Sequence, residues 1–127
     1  MQSLVDIAAD LANGRTTSQA LTEAALARIE DPNGEGAAAF TKTYKDAALA
    51  SAKASDQARA HGIVPSPLAG IPVSIKDLCD VAGEVTLAGS IVRRGEEPAV
   101  QDAPVVANLR AAGAIIVGRT NMVEFAM

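Results

Sequence analysis

The sequence predicts an α/β protein in which N-terminal helices lead into the start of a mixed, largely parallel sheet flanked by helices. Three observations carry that reading. Apolar residues recur at helical spacing behind capping signals over residues 3–60. Ile71, Val73 and Ile75 then alternate with Pro72, Ser74 and Lys76, as in a strand with one buried face. A capped helix expected over 103–112 runs straight into the fully apolar Ala114-Ile115-Ile116-Val117. Strand, helix and strand in that order make the crossover unit that joins parallel strands, whose two faces need helical cover.

Ser3 is placed to cap a short helix carrying Leu4, Ile7, Ala8 and Leu11, and Gly14 to end it. Thr16, Thr17 and Ser18 offer the next N-cap, with Thr16 and Gln19 at capping-box spacing. Leu21, Ala25 and Ile29 recur every four residues before the breaker Asp31-Pro32-Asn33-Gly34. A third helix is expected over about 43–60, with Ala48, Leu49, Ala52 and Ala58 near one face and Gly62 as its stop. Composition shifts at 63–67, where the two prolines of VPSP make a rigid connection into the strand 71–76. The chain is thus expected to divide into a helical segment, 1–62, and the first part of an α/β core, 63–127, within one domain. After a loop containing Gly83, Gly89 and Gly95, Asp102 is placed to cap the 103–112 helix, whose Val105, Val106 and Leu109 are apolar and which Gly113 closes.

At 127 residues, with 49% hydrophobic and 20% charged composition, the chain has the balance of one globular domain. Aromatics make up only 2% and alanine much of the apolar count, so the core is thin. A net charge of −4 with interspersed signs, one Tyr and two Phe offers neither a phosphate-binding stripe nor a stacking platform, which argues against nucleic acid as a direct partner. The single cysteine forms no internal disulfide, and no apolar run approaches about 20 residues, so neither membrane nor secretion is expected and the cytoplasm is the expected compartment. Cys79 and His61 are the sole soft ligands, without CxxC or HxxxH spacing, and no metal or other cofactor is expected.

Chemistry concentrates at Ile71–Leu78, IPVSIKDL, where a lysine ends an apolar run. Lys76 reads in two ways: as the polar end of a strand, reaching water or paired with Asp77 or Asp80, or as an amine desolvated into its neutral, basic form at the C-terminal end of a strand, where α/β sites collect. Asp77 reads as a residue that caps the turn and fixes the chain, and that also orients the lysine. Cys79 reads as a small buried hydrophobe and His61 as a residue favoured at a helix C-terminus. Asn121 is placed to cap a short helix in NMVEFAM. The three loop glycines serve turns, since GxGxxG and GxxxxGK spacings are absent.

The run PLAGIPVSIKDLCDVAGEVTLAGS, followed by DAPVVANLRAAGAIIVGRTNMVEFAM, resembles the N-terminal part of the amidase signature family. The likeness is dense over 67–127 and looser over 3–60. It implies a hydrolase or amidotransferase that cleaves carboxamide C–N bonds through a Ser, cis-Ser, Lys triad, with Lys76 on the catalytic lysine and glycine-rich N–H groups binding the oxyanion. Ser90, in the Gly89-Ser90 pair, matches a family position near the site and reads either as a hydrogen-bonding support for the lysine or as a simple turn residue, and the resemblance further implies that Ala126 and Met127 approach the substrate channel. The family's two serines belong to a GGSSGGS-like segment, and no such run occurs in these 127 residues. The chain alone is therefore expected to be inactive, a fragment whose remaining machinery lies on the remainder of the same polypeptide.

Three functions follow from this reading. The first is an amidase hydrolysing a small-molecule carboxamide through an acyl-enzyme, alone or as a homodimer. The second is the glutaminase component of a tRNA-dependent amidotransferase, active only in a complex. The third is a non-catalytic helical α/β interaction module in which Lys76 is merely solvated.

Overall fold

Ser3 opens the first helix by a reciprocal cap. In a computed structural model, which describes residues 2–127, the Ser3 hydroxyl accepts the Asp6 N–H at 3.2 Å and the Asp6 carboxylate accepts the Ser3 N–H at 3.2 Å. Helix α1 follows, Leu4–Ala12. Helix α2, Ser18–Glu30, is capped by Thr17, whose hydroxyl accepts the Ala20 N–H, and not by Thr16. Gln19, expected to complete a box with Thr16, donates its amide to Glu23 instead. The reason lies in Asp56, which accepts the free N–H groups of both Ser18 and Gln19, at 2.7 and 3.0 Å, so a carboxylate from another helix serves the positive end of α2. The Ser18 hydroxyl donates to the Gly70 carbonyl at 2.7 Å, turning Ser18, Thr22 and Leu26 inward. Leu21, Ala25 and Ile29 sit half-buried beside that face.

The segment 36–43 holds a single helical turn, α3 (Gly36–Ala39), and a strand, β1 (Phe40–Thr43), which the sequence reading does not anticipate. Helix α4 spans Lys45–Ala60 and buries Ala48 and Ala52. Strand β2 is Pro72–Lys76, helix α5 Pro104–Ala111 and strand β3 Ile115–Thr120. Asp102 does not cap α5. Ala103 holds that position with Pro104 behind it, whose missing N–H lessens the need for a cap, and the Asp102 carboxylate accepts the Ala82 N–H and Arg110 Nε, both at 2.9 Å.

The sheet is mixed, in the order β1-β3-β2: β2 runs parallel to β3, from Pro72 opposite Ile115 to Lys76 opposite Thr120, and β1 runs antiparallel on the other side. Central β3 is buried along nearly its whole length and feeds two cores. Ile115 and Val117 meet Leu26, Ala48 and Ala52 on one face, and Ile116 meets Ile75, Val81 and Val106 on the other. Alanines bring α4 close, while each buried Ile, Leu or Val contributes roughly 1.5–3 kcal/mol, so the seven branched residues named, three of them on β3, carry most of this core. Among the described residues no helix is long and apolar enough to cross a membrane.

Gly118 lets β1 approach β3. A Cβ there would collide with the Lys42 carbonyl oxygen and stand 2.9 Å from the Phe40 ring. We expect Gly118→Ala to lower stability by roughly 1–3 kcal/mol in denaturant unfolding, as overpacking does. Gly95→Ala, which meets nothing within 4 Å, is expected to stay within about 0.5 kcal/mol of the parent.

Candidate functional site

Lys76 is the last residue of β2, at the C-terminal tip of the parallel pair, and it is exposed. Ile75 takes the buried side of the strand, leaving Ser74 and Lys76 together on the solvent side. The strand therefore does not hold the lysine dry, as the reading of it as a desolvated base requires; its amine extends into water. Of the alternative reading, a strand end that reaches water or pairs with Asp77 or Asp80, the structure fits the first form. Among the described residues Lys76 takes part in no ion pair, Asp77 being engaged by Arg119 and Asp80 by the Thr86 hydroxyl at 2.6 Å.

Asp77 is buried and held at every polar group but one. Its N–H donates to the Thr120 carbonyl at 3.0 Å, its carbonyl accepts the Ala88 N–H at 3.0 Å, and its Oδ1 accepts Arg119 Nε at 2.7 Å. Its Oδ2 is buried without a hydrogen-bond partner among the described residues. The expected capping of its own turn does not occur. That turn is closed by backbone, the Cys79 N–H donating to the Lys76 carbonyl at 3.0 Å.

Arg119 is the residue that sequence reasoning misses. Its side chain is 2% exposed, although it ends an apolar run. Besides Asp77, the guanidinium donates to the Cys79 carbonyl at 2.9 Å and to Glu84 at 3.3 Å. Glu84 in turn accepts the Tyr44 hydroxyl and Lys42 Nζ, both at 2.8 Å. Burial pushes the Glu84 carboxyl upward, but the Lys42 ammonium, the Tyr44 hydroxyl and Arg119 outweigh it and hold it below the usual carboxylate range. Tyr44 is pushed up to about 12, first by burial and then by the Glu84 carboxylate that its hydroxyl serves. Arg119 loses hydration, yet Asp77 more than restores its charged form.

Ser90 is buried and lies beside the site without touching the lysine. Its hydroxyl donates to Glu124 at 2.5 Å and accepts the Val92 N–H at 3.4 Å, capping the 3-10 turn Ile91–Gly95. Gly89 has φ +71°, and a Cβ there would stand 2.7 Å from the Met122 carbonyl oxygen, so the 88–90 turn lies directly against the 122–125 backbone. The Phe125 N–H donates to the Ala88 carbonyl at 2.9 Å, and Ala88, Phe125 and Ala126 all have positive φ, three strained residues in one contact. Asn121 does not cap a helix over NMVEFAM. Its Oδ1 accepts the adjacent Met122 N–H, and only the 3-10 turn Glu124–Ala126 forms. Ala126 and Met127 are exposed. Cys79 packs half-buried against the second core and His61 ends α4.

A crevice of about 380 Å³ opens over the polar network, lined by Thr41, Asp77, Glu84, Leu87 and Arg119. A larger cleft of about 610 Å³ runs along α4 past Tyr44, Ser51, Ser55, Val81 and Ile116. Lys76 lines neither; at the strand tip it is Asp77, not the lysine, that borders the crevice. Among the described residues no three His, Cys, Asp or Glu side chains converge as metal ligands.

A family model described as Amidase matches residues 20–127. The chain is 45% identical over 122 residues to the AtzE component of 1-carboxybiuret hydrolase from Pseudomonas sp. (strain ADP), a match that covers 96% of this chain and 26% of that protein. It is 43% identical over 122 residues to a glutamyl-tRNA(Gln) amidotransferase subunit from Streptomyces coelicolor, covering 96% of this chain and 24% of that one. The X-ray structure of native peptide amidase from Stenotrophomonas maltophilia superposes with a TM-score of 0.85 at 36% identity, over 98% of this chain and 25% of the other. The chain thus spans about a quarter of the length of the curated relatives it matches.

The Tyr44–Glu84 contact sets two pH limits. Glu84 has a depressed folded value, so its contribution is present above its ordinary pKa of about 4.3 and lost as pH falls through the folded one. Tyr44 has a raised value, so its contribution is complete below the ordinary tyrosine pKa of about 10 and is lost as pH climbs through the folded value. Tyr44 is the single tyrosine here and tryptophan is absent. Ultraviolet difference titration against Tyr44→Phe is expected to show tyrosinate with a midpoint of about 12; a midpoint near about 10 would mean the hydroxyl is not held.

Proposed function

The chain belongs to the amidase family, and on that premise we propose that it supplies the lysine base of a hydrolase acting on carboxamide C–N bonds. The observation that supports this most directly is the family match over residues 20–127, which includes Lys76 at the C-terminal tip of a parallel strand, next to a carboxylate already engaged by Arg119. The reaction needs the neutral form of Lys76, which burial of the strand tip by the remainder of the polypeptide would favour by removing hydration.

In this reading the lysine draws a proton, through a bridging serine, from a nucleophilic serine. The serine oxygen bonds to the amide carbon, backbone N–H groups hold the oxyanion, and the C–N bond breaks as the nitrogen takes up the proton. Water then releases the acid from the acyl-enzyme. The 127 residues contain no GGSSGGS-like run, so the activity is proposed for a polypeptide that carries this segment together with one. Asp77 supports the site by anchoring the strand tip, Ser90 by tying the 88–90 turn to Glu124, and Ala126 and Met127 are assigned to the wall of the substrate channel.

A second reading, the glutaminase component of a tRNA-dependent amidotransferase, draws support from the 43% identity to a protein of such a complex. Hydrolysis of simple amides by the lone complete polypeptide favours the first reading; activity only after co-purification with two further polypeptides favours the second. A reading frame without a serine-glycine run favours a non-catalytic module.

In the complete polypeptide, Lys76→Ala is expected to lower carboxamide hydrolysis by at least about 10²–10⁴-fold, the usual contribution of a general base. Because the side chain is exposed, the unfolding free energy is expected to change by less than about 0.5 kcal/mol. Retained turnover in this variant contradicts the assignment.

A further inference from the structure

We infer that Arg119 is a positioning residue for Lys76, acting through Asp77. The inference rests on the role just proposed for the lysine and adds a residue to it.

Lys76 ends β2 and Asp77 opens the turn that follows, so anchoring Asp77 fixes the backbone from which the lysine side chain departs. The pairing of β2 with β3 is irregular between Val73 and Ser74 and resumes at the tip, with Ile75 opposite Arg119 and Lys76 opposite Thr120. Beyond the lysine the hold is dense. Backbone bonds to Thr120 and from Ala88 secure Asp77, and Arg119 takes its carboxylate from behind. The same guanidinium also takes the Cys79 carbonyl, in the turn that closes back onto Lys76, and Glu84 in the loop beyond.

Stability alone gives little reason for a guanidinium at this point. Apolar side chains of similar volume commonly replace a buried ion pair without loss, and Arg119 lies in a strand whose other side chains are mostly Ile and Val. What an apolar pair lacks is direction. A planar fork with several donors in fixed geometry ties the 77–79 turn and the loop at Glu84 to one point on β3, and a lysine ammonium, a compact charge on a flexible stem, does not reproduce that.

The test uses the complete polypeptide with Arg119→Lys and with the double variant Arg119→Met/Asp77→Leu. Loosened aim predicts that kcat falls by about 10–100-fold in both, with KM within about twofold, since a small misplacement of a reacting group has effects of that order. The double variant is expected to unfold at nearly the parental denaturant midpoint while kcat stays low. If kcat returns together with stability, the pair is structural only and the inference is overturned.

A second readout does not depend on turnover. Acylation of Lys76 by an amine-reactive reagent, followed by mass spectrometry, is expected to change in rate and pH profile in both variants, while exposed Lys53 on α4 labels as in the parent. Unchanged labelling at Lys76 also overturns the inference. If the parent hydrolyses no carboxamide, the amidase reading fails, and the labelling comparison still decides whether Arg119 aims the lysine.

Discussion

A guanidinium buried on the central strand is the constraint around which the rest of the structure is arranged. Taking a charge out of water is costly by several kcal/mol unless a counter-charge and hydrogen bonds meet it. Arg119 therefore obliges Asp77, the Cys79 carbonyl and Glu84 to converge on it. Glu84, once drawn in, requires donors of its own, and Lys42 and Tyr44 provide them from the end of β1 and the residue that leads into α4. One charged residue thereby links those two elements to the tip of β2 and the loop after it.

The two apolar cores would allow more freedom than this. Ala48 and Ala52 admit close packing, but methyl groups specify little about rotation or register. Directional contacts supply what is missing. Ser18 and Asp56 fix α2 against α4 and Gly70, and the Arg119 network fixes the strand tips. Lys76 then owes its orientation to polar contacts it does not itself make.

Much of this is legible in the sequence, and the limits are physical. The alternation of Ile71, Val73 and Ile75 and the run 114–117 identify two strands of the sheet, because burial on one or both faces leaves a pattern. Strand β1 leaves none: Phe40 is half-buried and the three residues after it are exposed, so an edge strand of sequence FTKT looks like a loop. The caps of α2 and α5 elude the sequence because neighbouring residues have equal capping chemistry and distant partners, Asp56 for α2 and Ala82 and Arg110 for Asp102, decide between them. Lys76 stands out because a lysine after an apolar strand is conspicuous. Arg119 offers the same signal at the end of IIVGRT, but a terminal charge ordinarily reaches solvent, and its partners lie 35 to 42 residues away in sequence. Asp77 and Ser90 join other partners than those expected, Arg119 and Glu124.

The strand order β1-β3-β2 bears on how the chain acquires its shape. The middle strand is the last of the three to be synthesised, and both outer strands, along with α2 and α4, find their apolar partners on it. A nascent chain that has emerged only as far as α5 holds two strands with nothing between them. Closing the sheet requires loops of about forty to eighty residues to come together at once, around residues 115–120. Closure of the sheet is therefore expected as a late event, and helices this short gain their stability only with it.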